Sequence, residues 1–146
     1  MIRAATNKDV LEISALVSRS VSALNASGDS ADDLEFVCSK YTPQRISEHL
    51  IHKHVFVAAD GPAILGVIIL DGDKVHSLFV EPTQAKKGIG ATLIKHIEKC
   101  AIQNGISTLR LSSSRTAVAF YEKLGFHKLN FEPREFAPTW AMEKIL

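Results

Sequence analysis

Val10, Ile13, Leu16, Val17, Val21 and Leu24 recur at three- and four-residue spacing, which predicts a helix with one apolar face from about residue 7 to about residue 25. Thr6, three residues before Asp9, is its expected N-cap, and residues 2–4 form a short strand ahead of it. Residues 26–40 mix Ser, Gly and acids with Leu34, Phe36 and Val37, a loop followed by a short helix. Thr42-Pro43 starts another helix, because Pro at the first helical position forfeits no needed hydrogen bond. The period then shortens. Residues 55–59, 64–70 and 74–80 are β-rich runs separated by Asp60-Gly61-Pro62 and Asp71-Gly72-Asp73, turn signals that predict an antiparallel meander. A polar loop over 81–87 leads into a helix marked by Ile89, Leu93, Ile94, Ile97 and Ala101 and stopped at Asn104-Gly105. Leu109 and Leu111 lie in the next strand, 117–124 is a helix ending at Gly125, and 126–131 and 139–145 close the chain as strands. This order predicts an α/β (α+β) fold, a mixed sheet with helices on both faces.

The 146 residues make one domain, 1–146, with no repeat, low-complexity tract or linker. Seventeen Lys and Arg against sixteen Asp and Glu leave a net charge of +1, and aromatic residues are 7%. Both argue against a nucleic-acid partner, which needs a positive field or an aromatic platform. No apolar run approaches the roughly 20 residues that span a bilayer, and Lys8 and Asp9 interrupt any secretory pattern at the N-terminus. A cytoplasmic protein with no membrane partner is expected. Cys38 and Cys100 have no zinc-like spacing and are expected as reduced, buried thiols.

Candidate chemistry concentrates between residues 78 and 91, where a strand passes through a glycine-containing turn into a helix N-terminus. Such a terminus offers unpaired backbone N–H groups and a partial positive charge, the requirements for holding phosphate. A P-loop needs Gly-Lys-Ser/Thr, but Gly90 is followed by Ala91 and Thr92; a dinucleotide fingerprint needs Gly or Ala where Leu93 stands. A plain turn with tight helix packing is the alternative to an anion site.

The pattern Leu78-Phe79-Val80-x-Pro82, the run to Gly88-Ile89-Gly90 and then Leu93 resembles the pyrophosphate motif of the GCN5-related N-acetyltransferases. Ala117-Val118-Ala119-Phe120-Tyr121-Glu122-Lys123-Leu124-Gly125-Phe126 resembles that family's second cofactor motif. The two span residues 78–126, and the element order extends the likeness over most of the chain. The resemblance implies a mostly antiparallel sheet of about six to seven strands, acetyl-CoA as co-substrate, no metal, and direct acetyl transfer to a primary amine of a small molecule, peptide or protein. It assigns cofactor contact to Leu78, Phe79, Val80, Lys86, Lys87, Gly88, Ile89, Gly90, Ala91, Ser114, Ala117, Phe120 and Tyr121. It also implies that the strand before the loop splays from its neighbour, and that two copies pair as a homodimer. One departure stands out. Ala85 occupies the family's usual Gln or Arg position, with Gln84 one residue earlier, which keeps open a second reading: a non-catalytic acyl-CoA-binding or regulatory module.

Two side chains are assigned to catalysis. Tyr121 matches the tyrosine that faces the CoA sulfur in the family; a phenol with an ordinary pKa of about 10 can return a proton to a thiolate of about 8.5. A packed aromatic is the alternative. His76 precedes Leu78 by two residues, so strand alternation places both on one sheet face, and an imidazole near 6.5 suits a general base. Family members with histidine here use it through water; a strand histidine bonded to a neighbour is the alternative. Glu81 and Glu35 are weaker base candidates. Ser114 is expected to contact the pantetheine chain or cap the following helix. His49 and His52 share a helical face, but with only Glu48 nearby and His54 off the spacing they are read as exposed or half-packed, not as metal ligands. His96 and His127 belong to no constellation, and neither cysteine is an acyl carrier. The resemblance implies that residues of about 26–41 and 132–140 shape the acceptor side, where Asp29, Asp32, Asp33 and Glu35 would attract a cationic amine or simply form a solvated acidic loop.

Overall fold

The structure, a computed structural model, describes residues 1–24 and 30–146. The expected end of the first helix and Asp29 lie outside the described residues. Strand β1 (Ile2–Ala4) is followed by a 3₁₀ turn (Asn7–Asp9) and helix α1 (Val10–Leu24). The turn is closed by Asp9, which accepts from the Thr6 N–H at 2.8 Å and receives both Arg3 guanidinium nitrogens at 2.8 and 2.9 Å. Helices α2 (Ala31–Ser39) and α3 (Pro43–His52) come next, their N-caps Ser30 and Thr42 accepting from Asp33 N and Arg45 N. The expected meander is present as β2 (His54–Asp60), β3 (Ala63–Asp71) and β4 (Lys74–Val80), all antiparallel. Helix α4 (Ile89–Gln103), β5 (Thr108–Ser114), a 3₁₀ turn (Arg115–Ala117), α5 (Val118–Lys123), β6 (His127–Glu132) and β7 (Thr139–Ile145) complete the chain.

The strands form one seven-stranded sheet in the order β1-β2-β3-β4-β5-β7-β6. Its two faces bury separate cores. On one, Ile13, Leu16 and Val17 of α1 and Ile46 of α3 pack on Val57, Val67 and Ile69; on the other, Leu93, Ile94 and Ile97 of α4 pack on Ile68, Leu70 and Leu109. Each such side chain stabilises the fold by about 1.5–3 kcal/mol relative to its exposed state. No helix among the described residues is long and apolar enough to cross a membrane. Cys38 and Cys100 are free but half-buried, not fully buried as expected.

One joint in the sheet positions everything that follows. β4 and β5 are parallel and pair only at Lys74 with Arg110 and Val75 with Leu111. Beyond those pairs β4 stays with β3 as far as Val80 opposite Gly66, and β5 stays with β7 as far as Ser114 opposite Thr139. The sheet therefore splits into a V at its centre, as the resemblance implied. Gly66 lets α4 lie directly on this edge: an added Cβ would come within 2.9 Å of Leu93 Cδ1 and 3.0 Å of Ile89 Cγ2.

Candidate active site

The V is lined by two cavities that meet. The smaller, about 320 Å³, is enclosed by Leu78 and Val80 of β4, the turn from Gln84 to Ala91, and Ala117, Phe120 and Tyr121. The larger, about 830 Å³, lies over the split strands beneath α2 and the β6–β7 loop. Leu78, Ala85, Lys86, Ala117 and Tyr121 line both.

The turn is built to leave amides open. Gly88 is the N-cap of α4 at φ +84°, a left-handed conformation that a side chain would strain, and it has no side chain with which to cap the helix. The N–H groups of Ile89, Gly90 and Ala91, in the first helical turn, thus lack intrahelical acceptors, and these three residues line the smaller cavity. Gly90 has a different reason to be glycine: its Cβ would sit 2.9 Å from Phe120 Cζ, so the absence of a side chain lets α5 close against α4. Lys86, also at positive φ (64°), lines both cavities, whereas Lys87 is exposed and lines neither.

Tyr121 stands where the cavities join. It is 8% exposed, packed edge-on between Phe120 and Phe126, and its hydroxyl has no hydrogen-bond partner among the described residues. Burial, helped by the nearby Tyr41, pushes its pKa above the ordinary phenol value of 10, so it keeps its proton at neutral pH. A hydroxyl at the junction of two cavities that its own protein leaves without a partner is free to bond a ligand.

His76 is where sequence reasoning and structure part. The pairing steps from Ile69 opposite Ser77 to Leu70 opposite Val75, so His76 is the extra residue of a β-bulge and the alternation that would place it beside Leu78 is broken. Leu78 packs with the α4 core, while the His76 ring lies 5.0 Å from His49 and 6.4 Å from Tyr41 on the opposite face. There its Nδ1 is 2.7 Å from Ser77 Oγ, which is in turn hydrogen-bonded to the Tyr41 hydroxyl. Tyr41 and Ser77 are both 7% exposed, and all three residues line the larger cavity. No motif marked Tyr41 or Ser77; their contact spans 36 positions.

Burial, and then the charges of Lys53, His49 and Lys74, bring the His76 imidazole from its ordinary 6.5 down to about 4, against a smaller pull from Asp71. It is neutral at pH 7; in the tautomer whose Nδ1 accepts, Ser77 donates to His76 and Tyr41 donates to Ser77. The unfolded chain takes up this proton as pH falls through 6.5, but the folded chain resists until about 4. The site's stabilisation is present above 6.5 and lost between 6.5 and 4. Urea unfolding of His76→Phe should therefore lose about 1 kcal/mol less over that window than the native protein, allowing for screening of a half-exposed ring. Identical pH slopes would contradict the assignment.

The other sequence candidates disperse. Phe79 stacks edge-on against Tyr41 at 5.0 Å and lines only the larger cavity. Ser114 lines it too, but makes no cap; its Oγ is 3.3 Å from Thr116 Oγ1. Glu81 is held by Arg19 at 2.8 Å, and Glu35 is exposed. Asp32 is exposed, and Asp33 accepts from the Ala137 N–H at 2.7 Å. His49 is half-buried with Lys53 Nζ donating to its Nδ1 at 2.9 Å, and His52 and His54 are exposed. Among the described residues no three His, Cys, Asp or Glu side chains are grouped to hold a metal.

A sheet split at its centre, a glycine-opened helix beside the split and a tyrosine at the junction can be compared with known proteins. The sequence model of the Acetyltransferase (GNAT) domain matches residues 25–143. The chain belongs to the GNAT acetyltransferase family. The [Ribosomal protein bS18]-alanine N-acetyltransferase of Escherichia coli K12 is 31% identical over 75 residues, 49% of this chain and 50% of that protein. The chain thus spans about half the length of the curated relatives that head the comparison. An uncharacterised N-acetyltransferase of E. coli K12, YafP, is 28% identical over 68% of this chain and 71% of its own length. Among solved structures, a GCN5-related N-acetyltransferase of Rhodopseudomonas palustris superposes with a TM-score of 0.94 at 23% identity, covering 100% of this chain and 95% of its own. The PaiA N-acetyltransferase of Thermoplasma acidophilum, crystallised with coenzyme A, gives 0.87 at 22% identity, covering 100% and 98%. These likenesses establish a GNAT fold with the mostly antiparallel sheet expected above.

Proposed function

We propose that the protein is an acetyl-CoA-dependent N-acetyltransferase that passes an acetyl group directly to a primary amine. The observation that carries this reading is the junction: the uncapped α4 N-terminus lines one cavity, a chamber with Tyr41, Ser77 and His76 in its wall forms the other, and a protonated Tyr121 lines both. The donor set suits coenzyme A, since uncapped N–H groups and the helix's partial positive charge favour a diphosphate. Ile89, Gly90 and Ala91 would hold that diphosphate, with Lys86 beside it, and the apolar walls of Leu78, Val80, Ala117 and Phe120 suit the pantetheine arm. When bound, acetyl-CoA supplies a thioester that a neutral amine attacks and a thiol as leaving group.

The protein's share is to position and to move protons. Tyr121 Oη keeps its proton through the neutral range and is the acid that can return it to a thiolate. Tyr41, Ser77 and neutral His76 form a hydrogen-bonded line in the wall of the acceptor chamber, with Tyr41 Oη at its head to meet the neutral amine. An imidazole that takes a proton only near 4 orients these two hydroxyls and hands the amine's proton on to solvent instead of keeping it. Ala85 at the usual Gln or Arg position removes a side-chain contact but no backbone donor.

Acetyl-CoA consumption measured against a panel of amines, amino acids and peptides tests the reading. CoA release that depends on a primary amine is expected; CoA binding without turnover on any amine would instead support the binding-module reading.

A further inference from the structure

At the closed end of the V the larger cavity is basic. Lys40 at the end of α2, Lys74 at the start of β4 and Arg134 in the β6–β7 loop all line it. Lys74 is separated from Val80, beside the glycine turn, by the length of β4, about 20 Å, so these cations stand apart from the proposed diphosphate site. Two carboxylates stand nearby and keep their charge: Asp33, which lines the cavity, and Glu132, which is ion-paired with Arg134 and does not line it. Asp33 accepts from Ala137 N at 2.7 Å, and Glu132 accepts from Thr139 Oγ1 at 2.8 Å with Arg134 Nη2 3.7 Å away. Neither Lys40 nor Lys74 has a salt-bridge partner among the described residues; the Lys40 ammonium sits 4.4 Å over the Phe36 ring. Burial first, and then the charges of Arg134, Lys74 and Arg45, lower the Lys40 pKa. Of the acids expected on this side, Asp32 and Glu35 are exposed and Asp33 lines the cavity.

We propose that the acceptor carries an anionic group, a carboxylate or phosphate, beside its amine, and that Lys40, Lys74 and Arg134 bind that group. The inference rests on the transferase reading above. The anion relieves the repulsion among the three cations, and Arg134 can present its planar fork to two oxygens. Phe36, Phe79, Leu34 and Val37 line the same chamber, so its apolar wall suits an acceptor with an apolar body. The amine end is left for the Tyr41–Ser77–His76 line.

The test compares, with saturating acetyl-CoA, kcat/KM per neutral amine for phenylalanine, phenylalaninamide and phenethylamine, and for phosphoethanolamine against ethanolamine. The account expects an anionic acceptor to be favoured at least tenfold in one of the two sets, the set showing whether carboxylate or phosphate is read. In the Lys74→Gln/Arg134→Gln double variant that ratio falls to about one through a rise in KM, while the Kd for CoA stays within twofold. Equal use of charged and uncharged partners, or turnover confined to other amines without an anionic group, overturns the proposal. So does a tenfold loss of CoA affinity in the double variant, since the cations would then serve the cofactor's own phosphates. Failure of every amine, whatever its charge, would instead sink the transferase reading on which the proposal stands, and would be seen directly as no amine-dependent loss of acetyl-CoA.

Discussion

Tyr121→Phe should lower kcat by about 10²- to 10⁴-fold, the range that a positioned acid contributes, while the Kd for CoA changes by less than about twofold. The two effects separate because the ring and the hydroxyl do different things. The ring packs between Phe120 and Phe126 and lines the pantetheine side, and Phe keeps those contacts. The hydroxyl is bonded to no described protein group, so its removal leaves no orphaned partner and the fold should be as stable or slightly more so. A fall in turnover therefore cannot be ascribed to unfolding. Undiminished kcat in a stable variant would remove the acid role and leave Tyr121 a packed aromatic.

Much of the architecture was legible because each element carries its own local signal. The stripe from Val10 to Val21, Pro43 after Thr42, and the glycine turns at 61 and 72 all depend on neighbours within a few residues, and α1, α3 and the β2–β4 meander formed where they pointed. The glycine turn and Tyr121 were legible as motifs, and the fold brings them to one pair of connected cavities.

What was illegible depends on residues far apart in the chain. The bulge at His76 exists only in the register between β3 and β4, so period-2 alternation within one strand put the ring on the wrong face. Tyr41 lies between two helices with no motif around it, and only the folded chain places it against Ser77. Gly90, which lines the smaller cavity, also has a packing reason to be glycine that only the fold shows: a Cβ there would meet Phe120, thirty positions on. The acids of α2 suggested a cation site or a solvated loop; sequence does not show that Asp33 accepts from the Ala137 N–H or that Lys40, Lys74 and Arg134 line one cavity.

The central claim is that backbone amides opened by Gly88 hold the diphosphate of coenzyme A. Gly88→Asn and Gly88→Asp differ by one charge in nearly the same shape. Both are tolerated at φ +84° better than other side chains, and nothing lies within 4 Å of the new Cβ, so neither disturbs packing. Both can offer an oxygen to the helix amides. Only Asp adds a negative charge, worth about 1–4 kcal/mol against a phosphate charge roughly 4 Å away. Calorimetric titration of CoA into these two folded variants is the most direct test: the account predicts that Asp binds CoA about 100-fold more weakly than Asn, and equal affinities would contradict it.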